Sequence, residues 1–271
     1  MRRFPFVLIP LALALVACSS GPGGDPAPSG APPRSDLAVL AERIEQRRAE
    51  LSTATFHTEG FASDGQATEV RNVVDGSVRH SPGGVSASMV MDVATGGRPA
   101  NRTSLVVVPA GTYVQVAGAP MPEGKKWGYY TAENSGSLDA LMRGFGPSAT
   151  VGAELDYVEP RAALVVGTAS EELDGVPVTR HDLVVDPLTM AKVVEDRDIQ
   201  LQHTQLAEYG VAIAASVWVD GTGAPLKAEY RFELDGEVVK RSTTRFRDWG
   251  GPVDIAVPDQ AEVVPADRLP G

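Results

Sequence analysis

The chain has 271 residues, is 43% hydrophobic and 22% charged, and carries a formal net charge of −11. Such a composition belongs to a globular and not a disordered protein, and an acidic chain with no basic stripe repels nucleic acid and anionic head groups. A single cysteine, Cys18, excludes a disulfide framework and a thiolate metal centre.

The N-terminus reads as a lipoprotein signal. Met1-Arg2-Arg3 supplies the positive region, and Phe4 to Val16 is an apolar run too short to span a bilayer. Leu15-Val16-Ala17-Cys18 then has the order of a lipobox, in which a small residue before cysteine lets signal peptidase II cut once the thiol carries a diacylglyceryl group. The alternative is an ordinary secretory signal with a chance cysteine, or a buried core cysteine. On the lipobox reading residues 1–17 are removed, Cys18 becomes the acylated N-terminus, and the protein is held at the extracytoplasmic face of the cell membrane without crossing it. Ser19 to Arg34 is nearly all Gly, Pro, Ala and Ser. This composition predicts a tether, reaching about 22 Å as a random coil and about 50 Å if polyproline-like. The predicted organisation is therefore signal 1–17, acylated N-terminus and tether 18–35, and one domain over 36–271.

The first predicted element is a helix over Asp36 to Leu51, capped by Ser35 or Asp36. Leu37, Leu40, Ala41, Ile44 and Leu51 share one face, while Glu42, Arg43, Glu45 and Arg47 point away. Strand periods follow. In Val85 to Val93 the residues Val85, Ala87, Met89, Met91 and Val93 line one side, and similar runs occupy 105–108, 112–117, 163–166, 176–185, 211–219, 226–234 and 238–246. Asp-Gly pairs at 64–65, 75–76, 174–175, 220–221 and 235–236 suit hairpin turns, which favours antiparallel strands in sequence order. Two interruptions are predicted. Ser137 to Phe145 carries Leu138, Leu141, Met142 and Phe145 at helical spacing before Gly146-Pro147, and Thr189 to Tyr209 contains helix, although Val193, Val194, Ile199 and Leu201 also suit a strand. The sum is an α+β fold: a curved antiparallel sheet, an unclosed half-barrel, with helices across its concave face.

This layout resembles the actinobacterial LppX/LprAFG lipoproteins, relatives in fold of the LolA and LolB carriers. The resemblance rests on the lipobox at Cys18, the amphipathic helix leading into Thr55 to Phe61, Lys126-Trp127 after a hairpin, Val217-Trp218-Val219-Asp220 with Gly223-Ala224-Pro225-Leu226, and Phe246-Arg247-Asp248-Trp249-Gly250-Gly251-Pro252-Val253. The charged stretch Val194 to Asp198 has no counterpart in that pattern. The resemblance implies an apolar cavity between sheet and helices that holds a lipid or glycolipid and assists its transfer to the envelope. It further implies as partners the membrane through acylated Cys18, the lipid itself and an envelope transporter.

An unfilled gap on a concave sheet can take an acyl chain without specific polar contacts. Candidate lining residues are Val85, Met89, Met91, Leu138, Leu141, Met142 and Phe145, the methionines because an unbranched thioether adapts to such chains. The same seven equally suit an ordinary hydrophobic core. Lys125, Lys126 and Arg143 are candidates for a head group at the mouth or for solvated surface, and Asp248 and Trp249 read as structural, Trp249 capping the core. The four histidines, His57, His80, His181 and His203, form no metal-binding or catalytic spacing, and no nucleophile elbow or phosphate loop occurs. The expectation is a non-enzymatic protein without cofactor or metal. The rival reading is a surface lipoprotein that binds another envelope protein and has no small-molecule ligand.

Overall fold

In the computed structural model, which describes residues 35–63, 69–131 and 152–269, a single residue starts the first helix. The Ser35 hydroxyl accepts from the Ala38 amide at 3.2 Å, and helix α1 then runs over Asp36–Leu51 until Ser52 turns left-handed with φ 59°. Leu37, Leu40 and Ile44 are buried, as their spacing predicts. The lipobox, the tether and the predicted helix at 137–145 lie outside the described residues.

The strands are β1 (Thr53–Ser63), β2 (Glu69–Ser81), β3 (Gly84–Thr95), β4 (Asn101–Val108), β5 (Gly111–Val116), β6 (Trp127–Tyr130), β7 (Ala163–Leu173), β8 (Val176–Val185), β9 (Ala212–Asp220), β10 (Pro225–Leu234), β11 (Glu237–Arg247) and β12 (Val263–Pro265). They form one sheet of twelve strands in the order β12-β6-β5-β4-β3-β2-β1-β11-β10-β9-β8-β7. Two meanders, β1 to β6 and β7 to β11, are thus joined where β1 pairs antiparallel with β11, from Thr55 opposite Arg247 to Ala62 opposite Lys240. The outer strands β7 and β12 do not pair with each other, so the sheet is an unclosed half-barrel and the fold is α+β. The expected antiparallel order has one exception, since β12 pairs parallel to β6 through Val263 opposite Trp127.

The turns differ in kind. Asp174 and Gly175 (φ 51° and 83°) and Asp235 and Gly236 (φ 52° and 83°) supply the two positive φ angles of tight hairpins, as expected. Asp75-Gly76 is no turn but lies inside β2, where Gly76 faces Phe56 of β1. A Cβ on Gly76 would lie 2.6 Å from the Phe56 ring and 2.7 Å from the Ser88 carbonyl oxygen, so the glycine makes room for an aromatic laid across the strand. The segment after β8 is two helices, α2 (Pro187–Val193) and α3 (Arg197–Glu208), capped by Asp186 and Asp196. The charged stretch 194–198 is their junction, and its Asp196 carboxylate accepts from the Asp198 and Ile199 amides at 2.9 and 3.0 Å.

The inward residues of the strands form the core with α1, among them Phe56, Val74, Val78, Met89, Met91, Leu105, Leu183, Ile213, Val217 and Tyr230. Val85 departs from its expected place. It stands beside the β2–β3 turn, opposite His80 at the end of the sheet, and is 45% exposed. Trp249 packs on the core as expected, its ring 5.6 Å from Phe246 and its indole N–H donated to the Pro225 carbonyl at 2.8 Å, while Asp248 accepts from Thr55 Oγ1 at 2.8 Å. Gly76→Ala is expected to lower the unfolding free energy by about 1–3 kcal/mol through overpacking. Urea denaturation measures it, and an unchanged midpoint would contradict this account of the Phe56 crossing.

Candidate functional site

The cleft opens where helices and sheet meet. Its walls come from Ala41 and Glu45 of α1, Met190 of α2, Val194, Ile199, Gln202 and His203 on and before α3, and the 3-10 turn Ala153–Tyr157 with the Val158 to Pro160 segment after it. Tyr230 of β10 is the floor, and the enclosed volume is about 430 Å³, within the range of small-molecule sites. The floor is an aromatic cluster. Tyr157 lies 5.0 Å from Tyr230 and edge-on to His203 at 5.9 Å, and Tyr230 lies 5.1 Å from Phe232. Such tilted pairs stiffen the base on which a ligand would rest.

Polar groups converge on this floor at their own cost. Along β11 the inward positions beyond Phe246 are Thr244, Ser242 and Lys240, where an apolar run would otherwise continue. Register places Ser242 beside Tyr230 on one side and Gly60 on the other, and Thr244 beside Thr58, whose hydroxyl is 2.6 Å away. Glu154, the second residue of the 3-10 turn, is 3% exposed. Its Oε1 accepts from Ser242 Oγ at 2.5 Å, while its Oε2 meets no geometric hydrogen-bond partner among the described residues. Burial pushes the Glu154 carboxyl up, against the pull of Ser242, so a proton is held there more readily than in water. Lys240 spreads its ammonium over the Phe232 and Tyr230 rings at 5.2 and 5.7 Å, and burial lowers its pKa to about 8 although Glu154 opposes this.

His203 is also 3% exposed, and its Nδ1 meets no hydrogen-bond partner among the described residues. Burial lowers its pKa, which leaves a neutral imidazole in the cleft wall. Asp156 stands at the rim, exposed overall yet enclosed enough that desolvation pushes its carboxyl up to about 6, with Arg48 pulling down and Glu154 and Glu45 adding to the rise.

Of the candidate lining residues singled out from sequence, three are described. Met89 and Met91 are buried in the core, Val85 is exposed at the sheet end, and none of the three is part of the cleft wall. Leu138, Leu141, Met142, Phe145 and Arg143 lie outside the described residues. Lys125 and Lys126 belong to the far edge of the sheet, donating to the Ala261 carbonyl at 2.9 Å and the Glu262 carboxylate at 2.5 Å. The wall residues themselves escaped the sequence because they come from turns and from one face each of separate helices that only the tertiary arrangement brings together. One signal was present: Ser242 and Thr244 are polar where the period of β11 points inward.

A second groove of about 470 Å³ lies on the convex face, where Ser216 and Trp218 alternate with the inward Ala215 and Val217. Its charges satisfy one another. Arg180 bonds Glu171 at 2.6 Å and Asp182 at 3.1 Å, the Trp218 indole donates to Glu171 at 2.8 Å, and Lys227 covers the Trp218 ring at 3.9 Å. Among the described residues no group of three or more His, Cys, Asp or Glu side chains is placed to hold a metal ion, and no helix is long and apolar enough to cross a membrane.

No family model matches the chain, and no curated protein matches it. The solved structures similar to the chain include the following three. LprF from Mycobacterium bovis is 14% identical, with 82% of this chain and 97% of that one covered and a TM-score of 0.43. A DUF1329 family protein from Desulfovibrio piger is 11% identical over 78% and 90% of the two chains with a TM-score of 0.31. A β-barrel-like DUF1849 protein from Brucella abortus is 9% identical over 72% and 95%, with a TM-score of 0.22. The first of these comes from the group that the sequence resembles.

Two outcomes test the electrostatics of this region. Ser242→Ala strands Glu154 Oε1 and is expected to destabilise the fold by about 1–3 kcal/mol in urea titrations, whereas Glu154→Gln, which keeps an acceptor and removes a buried charge, is expected to be neutral or stabilising. Equal losses from both would contradict the pairing. The Asp156 carboxyl keeps its proton in the folded state where the unfolded chain has lost it. Its contribution to stability is therefore full below about pH 4 and falls as pH rises to about 6. Asp156→Asn is expected to raise Tm more at pH 7.5 than at pH 4, and the opposite order would contradict the raised pKa.

Proposed function

We propose that this protein is an extracytoplasmic lipoprotein, anchored through acylated Cys18, that binds a lipid or glycolipid in the cleft between α1, α2, α3 and β10 and assists its transfer to the cell envelope. The observation that carries this reading is a cleft of about 430 Å³ against the concave face of an open sheet, walled by Ala41, Leu155, Tyr157, Val158, Met190, Val194 and Ile199. Burial of each CH₂ contributes about 0.8 kcal/mol, so an enclosed stretch of ten methylenes gives about 8 kcal/mol before ordering costs. After those costs the affinity is weaker than the micromolar value that about 8 kcal/mol alone would give, suited to a carrier that must also let go. The acidic body and the Gly-, Pro-, Ala- and Ser-rich composition of 19–34 agree with a domain held near a membrane but not bound flat on it. The role involves no catalytic step.

The rival protein-interaction reading has one specific observation behind it. Leu164 and Val166 of the outer strand β7 are 72% and 63% exposed, and Val184 beside them on β8 is 51% exposed. This patch is on the convex face, so both roles are compatible with one chain.

The protein purified from an actinobacterial membrane is expected to carry a stoichiometric lipid in native mass spectrometry. Ala41→Trp, which fills the cleft from α1, is expected to reduce lipid occupancy at least about tenfold with Tm retained. A lipid-free mass that also refuses added lipids would sink the carrier reading, and undiminished occupancy in Ala41→Trp would put the ligand elsewhere.

A further inference from the structure

We propose that the edge strand β7 docks a protein partner, which adds an extended segment to it as a further antiparallel strand, apolar beside Leu164 and Val166 and basic beside Glu172. This surface is separate from the cleft. The two edges of the sheet differ in kind. β12 is three residues long and ends in Pro265, which blunts that edge, whereas β7 runs over eleven residues and ends the strand order on the other side. Only Ala163 of those eleven is buried. An edge of this length offers a row of backbone donors and acceptors to a strand laid beside it.

The exposed side chains set the chemistry of the partner. Positions 164, 166, 168, 170 and 172 read Leu, Val, Thr, Ser and Glu, a gradient from apolar to acidic along one strand. At the apolar end Leu164 and Val166 are 72% and 63% exposed, and Val184, opposite Leu164 on β8, widens the patch. Val166 is the extra residue of a bulge, between Val165 opposite Leu183 and Gly167 opposite Asp182, and it lines the convex groove with Val184 and Trp218. Bulges re-aim side chains, and this one turns a valine toward solvent. At the acidic end Glu171 is held by Arg180 and the Trp218 indole, and Asp174 in the following turn lies 3.8 and 3.6 Å from Arg245 and Arg247. Glu172 is exposed there and complements a lysine or arginine of the added strand.

A second copy of the chain fits this edge poorly. Antiparallel pairing of two β7 strands about Thr168 sets Leu164 against Glu172 and Val166 against Ser170 of the second copy, and sliding them until Leu164 meets Val166 leaves only 163–167 paired. Each copy also brings a formal charge of −11, which a basic segment turns from repulsion into attraction.

The test uses the full-length acylated protein in a non-ionic detergent and a short synthetic peptide, a lysine pair followed by alternating threonine and valine. Fluorescence anisotropy of the labelled peptide and amide hydrogen exchange of the protein are the readouts. Saturable binding is expected, with slowed exchange over 164–172. Replacing the lysines by glutamates, or methylating alternate backbone nitrogens of the peptide, is expected to weaken binding at least about tenfold. Val166→Lys is expected to weaken it about tenfold with Tm retained, because that side chain is exposed. Absence of binding, binding without protection of β7, or equal affinity for the glutamate peptide would overturn the proposal. A Val166-dependent dimer in sedimentation, without peptide binding, would overturn it in favour of a second copy. None of these readouts requires a bound lipid, so they are decided apart from the carrier reading.

Discussion

The pairing of β1 with β11 is the constraint on which the rest of the structure depends. It brings together segments about 190 residues apart, Thr58 meeting Thr244 and Phe56 meeting Phe246, and converts two local meanders into one continuous sheet. Without it neither meander has a concave face deep enough to need covering, and α1 has nothing broad to lie on. Closing a loop of that length costs entropy before any contact rewards it, so this seam is expected to form late in folding, after the hairpins on either side. The core residues Ala54, Phe56, Ala228, Tyr230 and Phe246 cluster along it, which shows where that cost is offset.

The same seam is also the polar place in the interior. Thr58, Ser242 and Thr244 are buried where valine or leucine would pack at no desolvation cost, and Glu154 is brought down onto them from the 3-10 turn. A chain selected for stability alone would fill these positions with aliphatic side chains. The polar spot adjoins the cleft floor through Tyr230, and in the wall His203 Nδ1 is likewise buried with no hydrogen-bond partner among the described residues.

Much of the fold was legible in residue periodicity. The helix over 36–51 and the strands over 176–185 and 226–234 appear because their buried faces alternate at the helical or strand period with little interference. Asp75-Gly76 misled because a glycine needed for ring clearance has the same letters as one needed for a turn. Strand β1 was named only as the segment Thr55 to Phe61 into which the helix leads, without a strand assignment, and β12 is three residues long and parallel, too short to leave a period. The site was less legible than the fold. Met89 and Met91 have the pattern of core and are core, whereas the cleft is walled by turn residues around 153–160 and by one face each of two short helices, which only the tertiary arrangement brings together.

The central claim is that an acyl chain occupies the cleft and not the core or the convex groove. The most direct measurement is photo-crosslinking of the full-length protein with a lipid bearing a diazirine in its acyl chain, followed by peptide mapping. Adducts are expected within 153–160, on Met190, Val194 and Ile199, and on Tyr230. Adducts confined to the convex face around Val166 and Trp218, or none above an unfolded control, would contradict it.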